Sequence, residues 1–384
     1  MTIVRKISIN FPSKIHFGNG SLDLIAADIQ PMGLKNVLII SINPLLSSLQ
    51  SLINKLEEFG TNVFINVGIV KEPFFYDFNE LVQQYLTEDI DGVIGVGGGS
   101  VLDIAKLAAV QLKSDQSLEE IIGINLIKNR RIKLICVPTT SGTGSEASPN
   151  AILIDPADHQ KKGIISPFLM PDLVCVDPLL TISLPASITA STGLDALTHC
   201  LEAYTNKFAH AFVDLYALEG VRLIAKNLLR AVEDGKDEEA RAQIAMGSLF
   251  GGFCLGPVNT AAVHALAYPL GTTFQIAHGL SNALLLPHVM AFNIPSVPGR
   301  YADIAVALGC EKLNDDIETA LAGVDKIKQI IQDCKLPAKL SDLNIPMESI
   351  PQMAEDAMKI TRLLVNNPRE VTIHDAVSIY QEAY

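Results

Sequence analysis

Ile90-Asp91-Gly92-Val93-Ile94-Gly95-Val96-Gly97-Gly98-Gly99-Ser100 is an apolar, β-branched run that ends in three glycines and a serine, and VLDIAKLAAVQL (101–112) continues it with helical periodicity. The pair reads as a strand, a glycine turn and a helix. Glycines at such a turn let the backbone approach a ligand closely. The first N–H groups of the new helix face that ligand with the positive end of the helix dipole, which suits a pyrophosphate. The run is not the G-x-G-x-x-G fingerprint, and a glycine-rich strand-to-helix turn can also be only a tight connection. A second strand-like run, Leu134-Ile135-Cys136-Val137, leads into Pro138-Thr139-Thr140-Ser141-Gly142-Thr143-Gly144-Ser145-Glu146. Hydroxyls and small turns at the carboxyl ends of parallel strands are where open α/β sheets bind nucleotides.

Outward from this point the first half of the chain repeats the same pattern. KNVLII (35–40) precedes SSLQSLINKLEEFG (47–60), TNVFINVG (61–68) precedes FNELVQQYLTE (78–88), and IKLICVPTT (132–140) supplies a further strand. Short β-branched runs alternating with amphipathic segments predict a parallel sheet with helical crossovers. After LMPDLVCVDPLLTISLP (169–185) the character changes, and segments such as FVDLYALEGVRLIAKNLLRAVED (212–234) and EEARAQIAMGSLFGGF (238–253) predict long helices. At 384 residues the chain is long for one core. The expectation is an α/β dinucleotide-binding domain over residues 1–185 and an all-helical metal-binding and substrate domain over 186–384, with Pro178 and Pro185 at the boundary. The amino-terminal MTIVRKISINF alternates like a strand.

In TGLDALTHCLEAY (192–204), Asp195 and His199 stand four apart in an apolar-periodic segment, so a helix sets both side chains on one face. His264 opens VHALAYPLG (263–271), and His278 lies fourteen residues later in AHGLSN (277–282), where a loop could return it. One carboxylate and three imidazoles, with no cysteine among them, suit Zn²⁺ or Fe²⁺, and a position left for solvent or an alcohol oxygen makes such a site catalytic. Satisfied core histidines and an aspartate near a helix start produce the same letters, because D-x-x-x-H alone is common.

Composition narrows the class. A hydrophobic content of 48% with 18% charged residues implies extensive burial, including an oligomer interface. A net charge of −13 argues against nucleic acid or an anionic membrane as partner. The six cysteines form no C-x-x-C pair and sit in apolar contexts, which reads as buried reduced thiols in a cytoplasmic protein. No run approaches the roughly 18 apolar residues of a membrane span.

GGGSVLDIAK (97–106), PTTSGTGSEAS (138–148), MPDLVCVDPLLTISLP (170–185), ASTGLDALTHCLEAY (190–204), VHALAYPLGTTFQIAHGLSNALLLPHVM (263–290) and NNPREVTIHDAVSIY (366–380) occur in an order and spacing that resemble the iron-containing, or group III, alcohol dehydrogenases from near Phe17 to Tyr384. The resemblance implies a dehydroquinate synthase-like fold, with a Rossmann-like parallel sheet followed by an all-α metal domain, and reversible hydride transfer between NAD(P) and a small alcohol, aldehyde or ketone. By matching position, it implies Asp195, His199, His264 and His278 as ligands of Fe²⁺ or Zn²⁺. Gly98, Gly99 and Ser100 would cradle the pyrophosphate beside Asp103, and Thr139, Thr140, Thr143 and Lys162 would complete the cofactor site. Asn150, Leu255 and Tyr268 fall on positions that line the substrate pocket. Asp103 and Tyr268 are the candidate catalytic residues, and members are commonly cytoplasmic dimers or higher oligomers.

Two positions depart from the pattern. Where relatives carry a second histidine four residues after the third ligand, this chain has Tyr268, a pocket wall or a proton relay of a different kind from imidazole. Where many NAD-using relatives place an aspartate after the second strand, the chain continues Ser41-Ile42-Asn43-Pro44, so Asn43 is the candidate ribose contact and a 2′-phosphate meets less repulsion. Maleylacetate reductases, glycerol dehydrogenases, hydroxyacid dehydrogenases and a non-catalytic nucleotide-binding protein are the rival readings. His288, on an apolar segment, reads as a buried structural histidine, and His16, His159, His210 and His374 have no companion at ligand spacing.

Overall fold

A computed structural model of the protein describes residues 5–69, 72–157 and 160–384, which leaves His159 outside the described residues. The strands are β1 (Lys14–Phe17), β2 (Asn36–Ile40), β3 (Asn62–Asn66), β4 (Gly92–Gly97), β5 (Gly123–Ile124), β6 (Lys133–Pro138), β7 (Asn150–Ile154), β8 (Lys161–Ile165) and β9 (Leu173–Val176). Six of them form one sheet in the order β1-β9-β6-β4-β2-β3, and every pairing in it is parallel. Helices α1 (Ile25–Met32), α2 (Leu46–Glu58), α3 (Phe75–Tyr85) and α4 (Gly99–Gln111) make the crossovers. Val93, Ile94 and Val96 of β4 have no solvent exposure, as expected for a strand covered on both faces. Two glycines explain how closely α4 lies on β4. A Cβ at Gly95 would stand 2.6 Å from the Cβ of Ala105, and one at Gly97 2.7 Å from the Cβ of Val101.

The chain leaves β2 toward β3 and leaves β4 in the opposite direction, toward β6. The carboxyl ends of β2 and β4 therefore flank a switch point, the place where an open α/β sheet has a crevice. Asn43 and the Gly98 turn follow those two strand ends.

A small second sheet, β5-β8-β7, was not evident in the sequence. Its hairpin partners NAILI and KKGII pair antiparallel, and buried polar groups stitch it to α4. Lys106, wholly buried, donates to the carbonyls of Ser148 (3.0 Å) and Asn150 (2.7 Å). Asp103 accepts from the Ser145 hydroxyl and from the Ile152 backbone N–H at 3.0 Å. Beside them Glu146 is 2% exposed, and burial pushes its carboxyl up to about 7 against the pull of its own backbone N–H and of Lys106.

The pH dependence follows from that shift. Glu146 holds its proton more tightly folded than unfolded, so its contribution is complete below the ordinary carboxyl value of 4.5 and is lost as pH rises through about 7. The difference corresponds to at most about 3 kcal/mol. Between about pH 5 and about pH 8 the melting temperature of Glu146→Gln is therefore expected to gain on the wild type by several degrees. Parallel melting curves across that range would show that Glu146 ionises freely in the fold.

The chain divides into two compact units, one comprising Asn10–Thr140 and Gly144–Ile182, the other Ser183–Tyr384 with Ser141–Thr143 and residues 5–9. The second unit is helical. It contains α5 (Ala186–Thr205), α6 (Ala211–Glu233), α7 (Glu238–Leu255), α8 (Ala262–Phe274), α9 (His278–Asn293), α10 (Pro298–Ala307), α11 (Asp316–Asp333), α12 (Ile350–Met358), α13 (Thr361–Leu364) and α14 (Ile373–Glu382). Of the expected amino-terminal strand, residues 1–4 lie outside the described residues and the remainder forms none. Residues 5–12 form no strand, because a strand needs a neighbour to pair its backbone groups and none lies beside this segment among the described residues. All six cysteines are free, five of them buried, and burial pushes the thiols of Cys136, Cys175 and Cys200 up to about 12.

Candidate metal centre and cofactor turn

Asp195, His199 and Glu202 fall at i, i+4 and i+7 of α5 and so share one face. His264 lies in the first full turn of α8, and Gln275, in the left-handed region at φ 57°, turns the chain back so that His278 opens α9. α9 sits tightly on α5 at Gly279, where a Cβ would collide with the backbone carbonyl of Ser191 and stand 3.2 Å from the Cβ of Asp195. A bare backbone there lets His278 approach the carboxylate.

Three imidazoles surround one oxygen. Oδ1 of Asp195 is 3.9 Å from Nε2 of His199, 3.6 Å from Nε2 of His264 and 3.7 Å from Nε2 of His278. Donors about 2.1 Å from a common ion in a tetrahedron stand about 3.4 Å apart, so the spacing fits an ion. Asp195, His199 and His264 offer donor atoms all within 4.8 Å of one another. The Asn282 amide gives a further test of fit. Its Nδ2 lies 2.7 Å from Asp195 Oδ1, 3.1 Å from His264 Nε2 and 3.3 Å from His278 Nε2. Three potential ligand atoms thus converge on one N–H donor group, the polarity that a cation would supply.

The outer faces of the rings are held as well. Nδ1 of His264 donates to Glu202 at 2.6 Å, and Nδ1 of His199 is 3.3 Å from the carbonyl of Gly142. Each contact turns Nδ1 outward as the donor and aims Nε2 at the cluster. Glu202 also accepts the backbone N–H groups of Ala261 (2.9 Å) and Val263 (2.6 Å), which fixes the start of α8. Burial opposes ionisation of Asp195, yet facing His199, His278 and His264 hold its carboxyl far below the usual range. Burial likewise works against a charged His264, but Glu202 and Asp195 overcome it and push the imidazole up to about 10. An ion entering here displaces that proton.

Glu202 was missed in the sequence, although its position seven residues after Asp195 was a visible signal. Glu202→Gln keeps the shape and removes the charge behind His264, so metal affinity is expected to fall by about 10- to 100-fold. Competition against a chromophoric chelator measures this directly, and an unchanged constant would remove Glu202 from the centre. Asn282 and Gly142 were also missed, since neither residue type announces a ligand neighbourhood.

The remaining candidate residues fall in several places. Gly98 has φ −77° and precedes α4 without a side-chain cap. A Cβ added there would meet only Thr140, at an ordinary 3.5 Å. Neither backbone strain nor protein packing demands glycine at this position, whereas a ligand lying on the turn would. Thr139 and Thr140 end the neighbouring β6, and Asn43 is exposed after β2. Thr143 belongs instead to the helical unit. Lys162 lies on β8 with its ammonium 3.7 Å from Asp155. Asp103 is engaged by Ser145, Ile152 and Lys106, which makes it an organiser of the loop that follows β6. Asn150 starts β7, and its carboxamide oxygen is buried without a hydrogen-bond partner. Leu255 ends α7. The ring of Tyr268 is 6.0 Å from that of His278, and its hydroxyl accepts from Arg362 at 2.9 Å. His288 stands apart, with burial and Lys328 lowering it to about 4. His210 caps α6 and His16 pairs with Asp28.

Similarity to known proteins agrees with this geometry. The family model of iron-containing alcohol dehydrogenases matches residues 12–178, and that of the Fe-containing alcohol dehydrogenase family C-terminal region matches 189–384. The long-chain-alcohol dehydrogenase 1 of Geobacillus thermodenitrificans (strain NG80-2) is 36% identical over 383 residues, covering 98% of this chain and 96% of the relative. A solved 1,3-propanediol oxidoreductase superposes with a TM-score of 0.95 at 31% identity, over 99% of this chain and all of that one. The sulfoacetaldehyde reductase of Bifidobacterium kashiwanohense, solved in complex with NAD+, superposes with a TM-score of 0.88 at 26% identity over 99% of each chain. The chain belongs to the iron-containing alcohol dehydrogenase family, whose members are metal- and NAD(P)-dependent oxidoreductases of alcohols and aldehydes.

Proposed function

We propose that Asp195, His199, His264 and His278 hold one divalent ion, Fe²⁺ or Zn²⁺, at which a small alcohol is oxidised or an aldehyde or ketone reduced. The convergence of the acceptor atoms of Asp195, His264 and His278 on the Asn282 amide is the observation that carries this reading. An ion so held acts as a Lewis acid, lowering the pKa of an alcohol oxygen and polarising a carbonyl. The chain's own residues do the rest. Asp195 supplies the compensating charge, Glu202 and Gly142 orient His264 and His199, and the unpartnered oxygen of Asn150 supports a role in accepting a hydrogen bond from a bound ligand.

The cofactor reading places the pyrophosphate on the free N–H groups at the start of α4, with Gly98, Gly99 and Ser100 beneath it and Thr139 and Thr140 beside it. Asn43 takes the adenosine ribose, and the absence of a carboxylate there admits NADP as well as NAD. The unit of Asn10–Thr140 and Gly144–Ile182 then serves as the cofactor domain and the helical unit as the metal domain. Tyr268 serves as a wall of the substrate pocket, its hydroxyl already engaged by Arg362. A net charge of −13 and the free cysteines support a cytoplasmic enzyme, and the 48% hydrophobic content supports a homo-oligomer.

Removing metal tests the core of this reading. After dialysis against a chelator, NAD(P)-linked oxidation of 1-butanol is expected to stop and to return on addition of Fe²⁺ or Zn²⁺. Full turnover by a preparation shown to contain no metal would exclude the centre described above.

A further inference from the structure

The four donors are not equally enclosed. The side chains of Asp195, His199 and His264 are 3%, 6% and 4% exposed, while that of His278 is 25% exposed. Solvent, and with it a substrate, meets the cluster from the His278 side. The ring of Tyr268 lies on that side, 6.0 Å from the ring of His278. Arg362, on the short helix α13, follows directly. Its guanidinium carbon stands 5.7 Å from the centre of the Tyr268 ring, and one nitrogen donates to the Tyr268 hydroxyl at 2.9 Å. Because these separations chain together, the guanidinium is no more than about 12 Å from the His278 ring.

Arg362 is half-buried, and among the described residues no carboxylate lies within ion-pair distance of it. A guanidinium carries five N–H donors, and the Tyr268 hydroxyl occupies one. A partly desolvated cation without a counter-charge is unfavourable unless a ligand supplies one. This chain, with net charge −13, has many acidic groups, and none of those among the described residues is paired with Arg362. The planar fork suits a carboxylate or sulfonate, which it binds through paired hydrogen bonds.

We infer that Arg362 is a specificity-determining residue that receives the anionic end of a substrate, so that the enzyme prefers a short alcohol or aldehyde bearing a carboxylate or sulfonate at its far end. The inference rests on the metal centre as the place where the other end reacts. Arg362 lies in KITRLL (359–364), just before NNPREVTIHDAVSIY.

The test compares 4-oxobutanoate and 3-oxopropane-1-sulfonate with butanal in the wild type, Arg362→Met and Arg362→Lys. The wild type is expected to favour a charged aldehyde, the carboxylate and sulfonate arms showing which anion fits. In Arg362→Met the ratio of kcat/KM for charged over neutral substrate should fall on the order of 10²-fold, chiefly through KM, with Arg362→Lys between the two. Calorimetric titration with butanedioate needs no turnover and should show binding by the wild type that weakens by a similar factor in Arg362→Met. A wild type that binds no butanedioate, or a substrate ratio that Arg362→Met leaves unchanged, overturns the inference and leaves Arg362 as a brace for Tyr268. Loss of the metal centre is read separately, because chelation abolishes butanal reduction whatever Arg362 binds.

Discussion

His199→Ala is expected to leave a folded protein that binds its ion weakly and turns over at least about 10³-fold more slowly than the wild type. His199 is buried in the middle of α5, and alanine is the better helix former, so local helix stability does not oppose the change. The imidazole makes one polar contact on its outer face, with the carbonyl of Gly142, and losing it costs about 1–2 kcal/mol. On its inner face, Nε2 is one of the three nitrogens around Oδ1 of Asp195. Removing it leaves the carboxylate with two imidazoles and opens a buried space beside them. Elemental analysis should therefore show well under one ion per chain, while the melting temperature falls by only a few degrees. Full metal content together with full turnover would show that His199 is a core histidine.

The same helix shows how much of this centre could be read in advance and why the rest could not. Asp195 and His199 were legible because helical periodicity alone decides that i and i+4 share a face. His264 and His278 were legible only as candidates, since their meeting with α5 depends on the left-handed turn at Gln275 and on the bare backbone of Gly279, neither of which periodicity specifies. Asn282 and Glu202 act by supporting the ligands, and an asparagine or glutamate inside an apolar helix has many structural uses. In the α/β unit, β2, β3, β4 and β6 were clear from β-branched runs. The β7–β8 hairpin was obscured by short half-buried strands whose pairing depends on contacts with α4. The amino-terminal alternation misled for a related reason, as alternation predicts a strand only where a neighbour is present to pair with it.

Gly98→Val is expected to raise the dissociation constant for NAD(P) by about 10²- to 10⁴-fold while metal content stays at the wild-type level. Glycines in this turn have different reasons to be glycine. Gly95 and Gly97 lie under α4, and a side chain at either would force the helix away from the sheet. Gly98 is different, because its φ of −77° suits any residue and a Cβ would meet Thr140 at an ordinary distance. A β-branched residue there is thus compatible with the folded chain, and the space it fills is the approach to the N–H groups at the start of α4. Charge-assisted hydrogen bonds to a pyrophosphate contribute about 1.5–3 kcal/mol each, so blocking two of them accounts for the expected range. The side chains around Asp195 lie in the other unit, so the ion is retained. Fluorescence titration with NADH and elemental analysis on one preparation separate the two effects. Cofactor affinity within a few-fold of wild type would mean that the pyrophosphate lies elsewhere and that Gly98 ends the strand as a tight connection only.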